Sequence, residues 1–319
     1  MSTAGFDPAL LPGAEESMRC AAYSEMLDLD PIGSALHVDE VVVIDVALPW
    51  PKPVWAVEGF TFVPESITLE AEKGRRVRAL AAVPDDDDQH RVVWHSRGHE
   101  VAAASRVEFL APPSEIPRIA AAVIGGDTAS VDQYRIIATV KPEVLVCTQG
   151  SHDVCCGSSG VPFAADLVAA RPNITVRRVS HTGGHRFAPT ALTFPGFRMW
   201  GRLDLADMLA IVDRTGRPSA VEHRCRGWLG ADGPGQVAER AVMMVIDDWD
   251  FDFRDRHVVV EETSEGWECQ VDVDGRVWVV DVRLSREVPS IACGAPGGLP
   301  AKPGREYRVV AEPREVVAP

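Results

Sequence analysis

Apolar residues recur along this chain in two registers, one alternating or continuous over short runs and one at helical spacing. The runs "EVVVIDVAL", "RVRALAAV", "RVVWHS" and "SRVEFLAP" predict four strands in the N-terminal third, after a helix in "RCAAYSEMLDL". Further along, "PEVLVCTQG" (142–150) is a short β-branched run that ends in turn residues, which predicts a buried strand finishing beside Cys147. "SSGVPFAADLVAARP" (158–172) sets Phe163, Leu167 and Val168 at helical spacing and closes at Pro172, so it reads as a helix. "NITVRRVS" (173–180) is the next strand, and "APTALTFPGFRMWGRLD" (188–204) is two strands around a Pro-Gly turn. "LADMLAIVDRTG" (205–216) is a helix that stops at glycine. The C-terminal third reads as an amphipathic helix in "GQVAERAVMMVIDDW" (235–249) followed by strands in "HVVVEET", "WECQVDV" and "RVWVVDVRL". The last two strands meet at Asp274-Gly275, a strong hairpin signal.

The middle segment therefore runs β-α-β, loop, β-β-α, the order of a thioredoxin-like sheet. This predicts an α/β fold, α+β overall, in four parts: a tail over 1–19, an N-terminal α/β region over 20–125 open to the same topology in degenerate form, a thioredoxin-like domain over 126–216, and a small α+β module over 217–319. Two stretches punctuate the pattern. The four aspartates of "VPDDDDQHR" (83–91) repel one another and predict a solvated loop, while the glycines and prolines of "CGAPGGLPAKPGR" (293–305) predict a surface loop.

Composition narrows the function. Forty-six per cent of the 319 residues are apolar, enough for a globular core. The formal charge of −15 disfavours phosphate backbones and anionic membranes, and suits a protein partner with a basic patch. The start "MSTAGFDPALLPGAEESM" shows no basic and apolar signal segment, and no apolar run is long enough to span a bilayer, so a cytoplasmic protein is expected. Seven cysteines, an odd number unevenly spread, do not form a paired disulfide framework.

Four metal-ligating residues fall on connections of the middle domain: Cys147 at a strand end, Cys156 shortly after, and His181 and His185 at the end of the next strand. In a β-α-β unit with parallel strands, both strand ends lie on one edge of the sheet, so the two pairs arrive at one place. The glycines of "HTGGH" (181–185) permit positive φ and close backbone approach, letting two imidazoles turn toward a shared ligand. Cys155 adjoins Cys156 and competes with it as donor. Cys20, Cys225, Cys269 and Cys293 read as buried structural thiols. His152 reads as a solvent-facing loop residue, and His90, His95 and His99 as surface polar residues around a strand.

The stretches "CTQGSHDVCCGSSGVPFAADL" and "SHTGGHRFAPTALTFPGFRMWGRL" resemble the sucrase/ferredoxin-like family over roughly residues 145–204, and the flanking thirds resemble it more loosely, including "ACG" at Cys293. The resemblance implies a thioredoxin-like ferredoxin domain whose 2Fe-2S cluster is held by Cys147, Cys156, His181 and His185. It favours Cys156 over Cys155 by spacing, and it places two histidines where other thioredoxin-like ferredoxins have a cysteine pair. Two thiolates and two neutral imidazoles leave such a cluster near neutral, so the potential is expected above that of a four-thiolate ferredoxin and to fall as pH rises. Arg186 and Asp153 are the neighbours expected to orient the ligands or offset charge.

The expected protein is a soluble 2Fe-2S electron carrier, more than a stand-alone enzyme, served by a flavoprotein reductase or another redox partner. One zinc ion on the same four ligands is the first alternative. A thiol oxidoreductase using Cys147 with Cys155 or Cys156 is the second, weakened by the absence of Cys-x-x-Cys spacing. No pair of acids marks a glycosidase, and hydrolase activity is not expected.

Overall fold

The structure is a computed structural model that describes residues 5–97, 105–137 and 141–316. Helix α1 (Cys20–Met26) precedes strand β1 (Glu40–Asp45), helix α2 (Val63–Glu72) and strand β2 (Val77–Ala82). Strands β3 (His90–Ser96) and β4 (Ser105–Ala111), helix α3 (Ile116–Ile124) and the short β5 (Arg135–Ile136) complete the first half. The second half contains β6 (Glu143–Cys147), α4 (Val154–Ala170), β7 (Thr175–Val179), β8 (Ala191–Phe194), β9 (Arg198–Trp200) and α5 (Leu205–Asp213). Beyond it lie β10 (Cys225–Trp228), α6 (Gly233–Ile246), β11 (Arg256–Thr263), β12 (Gly266–Val273), β13 (Arg276–Ser290), β14 (Lys302–Val309) and β15 (Arg314–Val316).

The fold is a mixed α/β arrangement with two sheets. One has ten strands in the order β10-β9-β8-β6-β7-β2-β1-β3-β4-β5, and the other has five, β11-β12-β13-β14 with β15 beside β13. Within the large sheet the two halves pair alike. β1 lies parallel to β2 and antiparallel to β3, which pairs antiparallel with β4. β6 lies parallel to β7 and antiparallel to β8, which pairs antiparallel with β9. The halves join where β2 meets β7 antiparallel at Ala82 and Val179.

Burial explains why the central strands read as unbroken apolar runs. Every residue of β1 and β6 is buried, because both faces of the sheet are covered. Val42 and Ile44 pack with α3 through Ile119 and Val123, while Val41 and Val43 join Leu145, Leu192 and Met199 on the other face. Helix α6 shares a core with α4, α5 and the small sheet through Val242, Leu167, Met208 and Trp278. The Asp274-Gly275 hairpin forms, with both residues at positive φ (53° and 80°), the left-handed conformation such two-residue turns need.

A buried ion cluster ties β9 to α6. Arg198 and Glu239 are both fully buried; the guanidinium donates to Glu239 Oε1 at 2.7 Å and Oε2 at 2.9 Å, and to Asp252 Oδ1 at 2.7 Å. The aspartate run behaves as expected, with Asp85 to Asp88 exposed and Asp86 Oδ1 turning the loop through the amides of Asp88 and Gln89.

Three expectations are corrected. Helix α4 starts at Val154, four residues before the predicted start, so Pro162 lies inside it and both Cys155 and Cys156 sit in its first turn. The start is fixed by Asp153, whose side chain accepts from Cys155 N at 2.8 Å, an N-cap that outweighs the proline signal. His90 and His95 are buried, because β3 is flanked on both sides by strands. His99 lies outside the described residues. The 293–305 stretch is a loop only in its first part, since β14 begins at Lys302.

Candidate metal centre

Strand β6 delivers Cys147, and α4 returns Cys156 to it, because two glycines let the helix press on the strand end. A Cβ added at Gly160 would lie 2.0 Å from the Cys147 carbonyl oxygen, and one at Gly157 would lie 2.7 Å from Gly150 Cα. The parallel neighbour β7 then carries the chain to His181. Donor atoms of Cys147, Cys156 and His181 all fall within 4.8 Å of one another. The Nδ1 of His181 is buried and has no hydrogen-bond partner, a costly state unless something else binds it.

His185 stands beside this trio with its ring 5.7 Å from that of His181. Its Nδ1 lies 2.9 Å from Asp153 Oδ2 and 3.0 Å from Cys20 Sγ. Asp153 thus fixes the ring, as expected of it, and in the Nδ1–H tautomer leaves Nε2 as the free donor. The glycines between the histidines have left-handed backbones, φ 85° at Gly183 and 69° at Gly184, and a Cβ at Gly184 would strike Arg226 at 2.2 Å.

Backbone and side-chain contacts hold the loop in place. His181 N donates to Gln149 Oε1 at 3.1 Å, while Gln149 Nε2 donates to Pro51 O at 2.9 Å. Arg78 Nη2 donates to His181 O at 2.7 Å, and the buried Arg226 donates from Nη1 to Gly183 O at 3.0 Å. Burial, with the charge of Arg186 adding to it, pushes Arg226 down to about 10, against the pull of Cys147 and Cys156. Cys147 is held well below the usual thiol range, because the facing Cys156 thiol, the His181 ring and the Thr182 amide outweigh burial. The facing Cys147 and burial push the Cys156 thiol up.

Other residues depart from expectation. His152 is partly buried and stacks on His181 at 3.8 Å between ring centres, and burial followed by the charge of His181 pushes it down to about 4. Cys155 turns away from Cys147 toward Cys20 and Cys293, its Sγ 3.6 Å and 3.3 Å from theirs. Those two cysteines are thus not isolated thiols, whereas Cys225 and Cys269 sit in the core among apolar neighbours. No spacing links Cys20 and Cys293, which lie more than a hundred residues to either side of Cys155.

Among the described residues, two groups are of kinds that hold metal ions: Cys147, Cys156 and His181, and Cys20, Asp153, Cys155 and Cys293. No helix among the described residues is long and apolar enough to cross a membrane. A family model described as "Sucrase/ferredoxin-like" matches residues 31–227, well over half of the chain. The protein named "Altered inheritance of mitochondria protein 32" from Meyerozyma guilliermondii is 32% identical over 96 residues, covering 27% of this chain and 34% of that protein. The chain thus spans about a third of the length of this curated relative. No solved structure matches the chain.

Proposed function

The chain belongs to the sucrase/ferredoxin-like family, and from that premise we propose that it is a soluble one-electron carrier whose 2Fe-2S cluster is held by Cys147, Cys156, His181 and His185. The observation that carries the reading is the convergence of the Cys147, Cys156 and His181 donor atoms within 4.8 Å, with His181 Nδ1 buried and unpartnered. The donor set fits the group: two sulfurs, one of them already disposed to be anionic, and two imidazoles of which one is tethered by a carboxylate. When bound there, a 2Fe-2S cluster supplies the uptake and release of a single electron.

The chain sets the terms of that exchange. Two neutral imidazoles in place of two thiolates lower the negative charge at the centre, so reduction is easier than in a four-thiolate site. Arg78 and Arg226 place guanidinium groups on the histidine loop through the carbonyls of His181 and Gly183, which further favours an added electron. Asp153 holds the proton on Nδ1 of His185 and fixes the plane of that ring. The charge of −15 favours a redox partner with a basic patch, whose reaction rate with this protein falls as salt rises.

Cys147 is fully buried, which counts against a thiol oxidoreductase, since that chemistry needs an accessible thiolate. Visible and EPR spectra of anaerobically prepared protein, with iron and acid-labile sulfide counts, test the reading. A coloured protein with an EPR signal on reduction is expected, and His181→Cys or His185→Cys should lower the potential. A colourless protein with one zinc ion on these ligands overturns it.

A further inference from the structure

Cys20, Cys155 and Cys293 come from three remote points of the chain, and backbone pairing brings them together. Gly294 N donates to Met18 O and Gly297 N to Glu16 O, both at 2.9 Å, so the segment before α1 is laced to the loop after β13. The sulfurs then meet, with Cys155 Sγ 3.3 Å from Cys293 Sγ and 3.6 Å from Cys20 Sγ, and the Cys20 amide donates to Cys293 Sγ at 3.5 Å. Both carboxylate oxygens of Asp153 lie 3.9 Å from Cys20 Sγ. One donor atom from each of the four residues lies within 4.8 Å of the others.

Three features set this apart from chance packing of thiols. Tetrahedral zinc–sulfur bonds of about 2.3 Å separate their sulfurs by about 3.8 Å, close to the spacings seen here. A carboxylate is held in place beside the sulfurs, Asp153 Oδ1 by the Cys155 amide and Oδ2 by His185 Nδ1, which sets an oxygen donor next to three thiols. Shielding is the third feature: Cys20 and Cys155 are 1% and 2% exposed and Cys293 is partly buried, so most of the donor set is kept from water, as structural zinc sites are.

We propose that Cys20, Cys155, Cys293 and Asp153 form a second, structural site for a tetrahedral divalent cation of the zinc class. Binding forms three metal–sulfur bonds and one metal–oxygen bond and releases the three thiol protons to solvent. The cation cross-links the segment before β1, the start of α4 and the loop between β13 and β14. Cys20 and Cys293 lie outside residues 31–227, the span matched by the family model; the two sites share Asp153, which also holds His185, but no sulfur.

The test is a cobalt(II) titration of full-length protein, reduced and freed of metal by chelation, read by the thiolate-to-cobalt charge-transfer band. A band that persists in Cys147→Ser/Cys156→Ser protein, and there loses about one third of its intensity when Cys293→Ser removes one of the three remaining site thiolates, is expected. Zinc should raise the Tm of the Cys147→Ser protein and not that of a Cys293→Ser protein. If Cys293→Ser is not recovered folded, Cys293→His retains a donor and should give a weaker, shifted band. A band removed by Cys147→Ser and untouched at Cys293 overturns the second site and leaves the first reading standing. A Cys155–Cys293 disulfide, found by peptide mass spectrometry after thiols are alkylated in intact cells, also overturns it.

Discussion

His185 Nδ1 lies 2.9 Å from Asp153 Oδ2, while Asp153 Oδ1 accepts the Cys155 amide at 2.8 Å. One carboxylate therefore fixes both the first turn of α4 and an imidazole of the histidine loop. Asparagine caps a helix as well as aspartate does, so Asp153→Asn should leave the start of α4 intact. It should still weaken the grip on the first centre about 10–100-fold. Chelator competition followed by the visible absorption of that centre checks this; unchanged affinity would show that the carboxylate does not support His185.

Gly160→Ala brings a methyl group to 2.0 Å from the Cys147 carbonyl oxygen. Helix α4 must lift from β6, which parts Cys156 from Cys147. We expect a loss of more than about 3 kcal/mol in stability, together with loss of bound metal. Thermal unfolding and metal analysis of the variant read both effects.

Glu143 is buried, with Oε2 2.9 Å from His95 Nε2 and 3.3 Å from Arg106 Nε. The His95 contact is short but poorly aligned for an N–H donor. Burial alone would raise Glu143; the facing His95, with Arg177 and Arg106, outweighs it and holds the carboxyl down at about 2. A depressed carboxyl stabilises the fold above its unfolded value, near 4.5, and that contribution is lost as pH falls toward 2, of order 3 kcal/mol in all. Denaturant midpoints between neutral pH and pH 2 should fall less steeply for Glu143→Gln than for the parent, although the variant starts less stable at neutral pH.

Glu239 accepts from the buried Arg198 at 2.7 Å and pairs in charge with the buried Arg256 at 3.4 Å. Glu239→Ala leaves the two guanidiniums to share the single carboxylate of Asp252 and should cost about 3 kcal/mol. Arg198→Met combined with Glu239→Leu should cost less than the sum of the two single changes. Double-mutant analysis of denaturation checks the coupling.

Much of the architecture was legible because burial on both faces writes itself as β-branched runs such as Val41 to Ile44, and because Asp274-Gly275 suits one turn. The Cys147, Cys156, His181 and His185 spacing could be read because parallel strands end on one edge. What escaped depends on tertiary context. The start of α4 turns on the cap from Asp153, while Pro162, a start signal in the sequence, lies inside the helix. Arg78 and Gln149 support His181 from other strands and loops and carry no local signature. Cys20, Cys155 and Cys293 meet through backbone pairing between segments that periodicity does not connect, and His95 is hidden because a neighbouring strand covers what looked like an edge.

The seam between the two halves of the large sheet runs directly beneath the histidine loop. Ser180 N donates to Ala81 O at 2.7 Å and Val83 N to Arg178 O at 3.0 Å, one residue before His181 takes up its bond from Arg78. The first half, which bears none of the Cys147 set, thus acts as the anvil against which that set is shaped. The smallest portable form of this centre is both halves together, and an excised second half would carry every donor yet lose the brace that aims one of them.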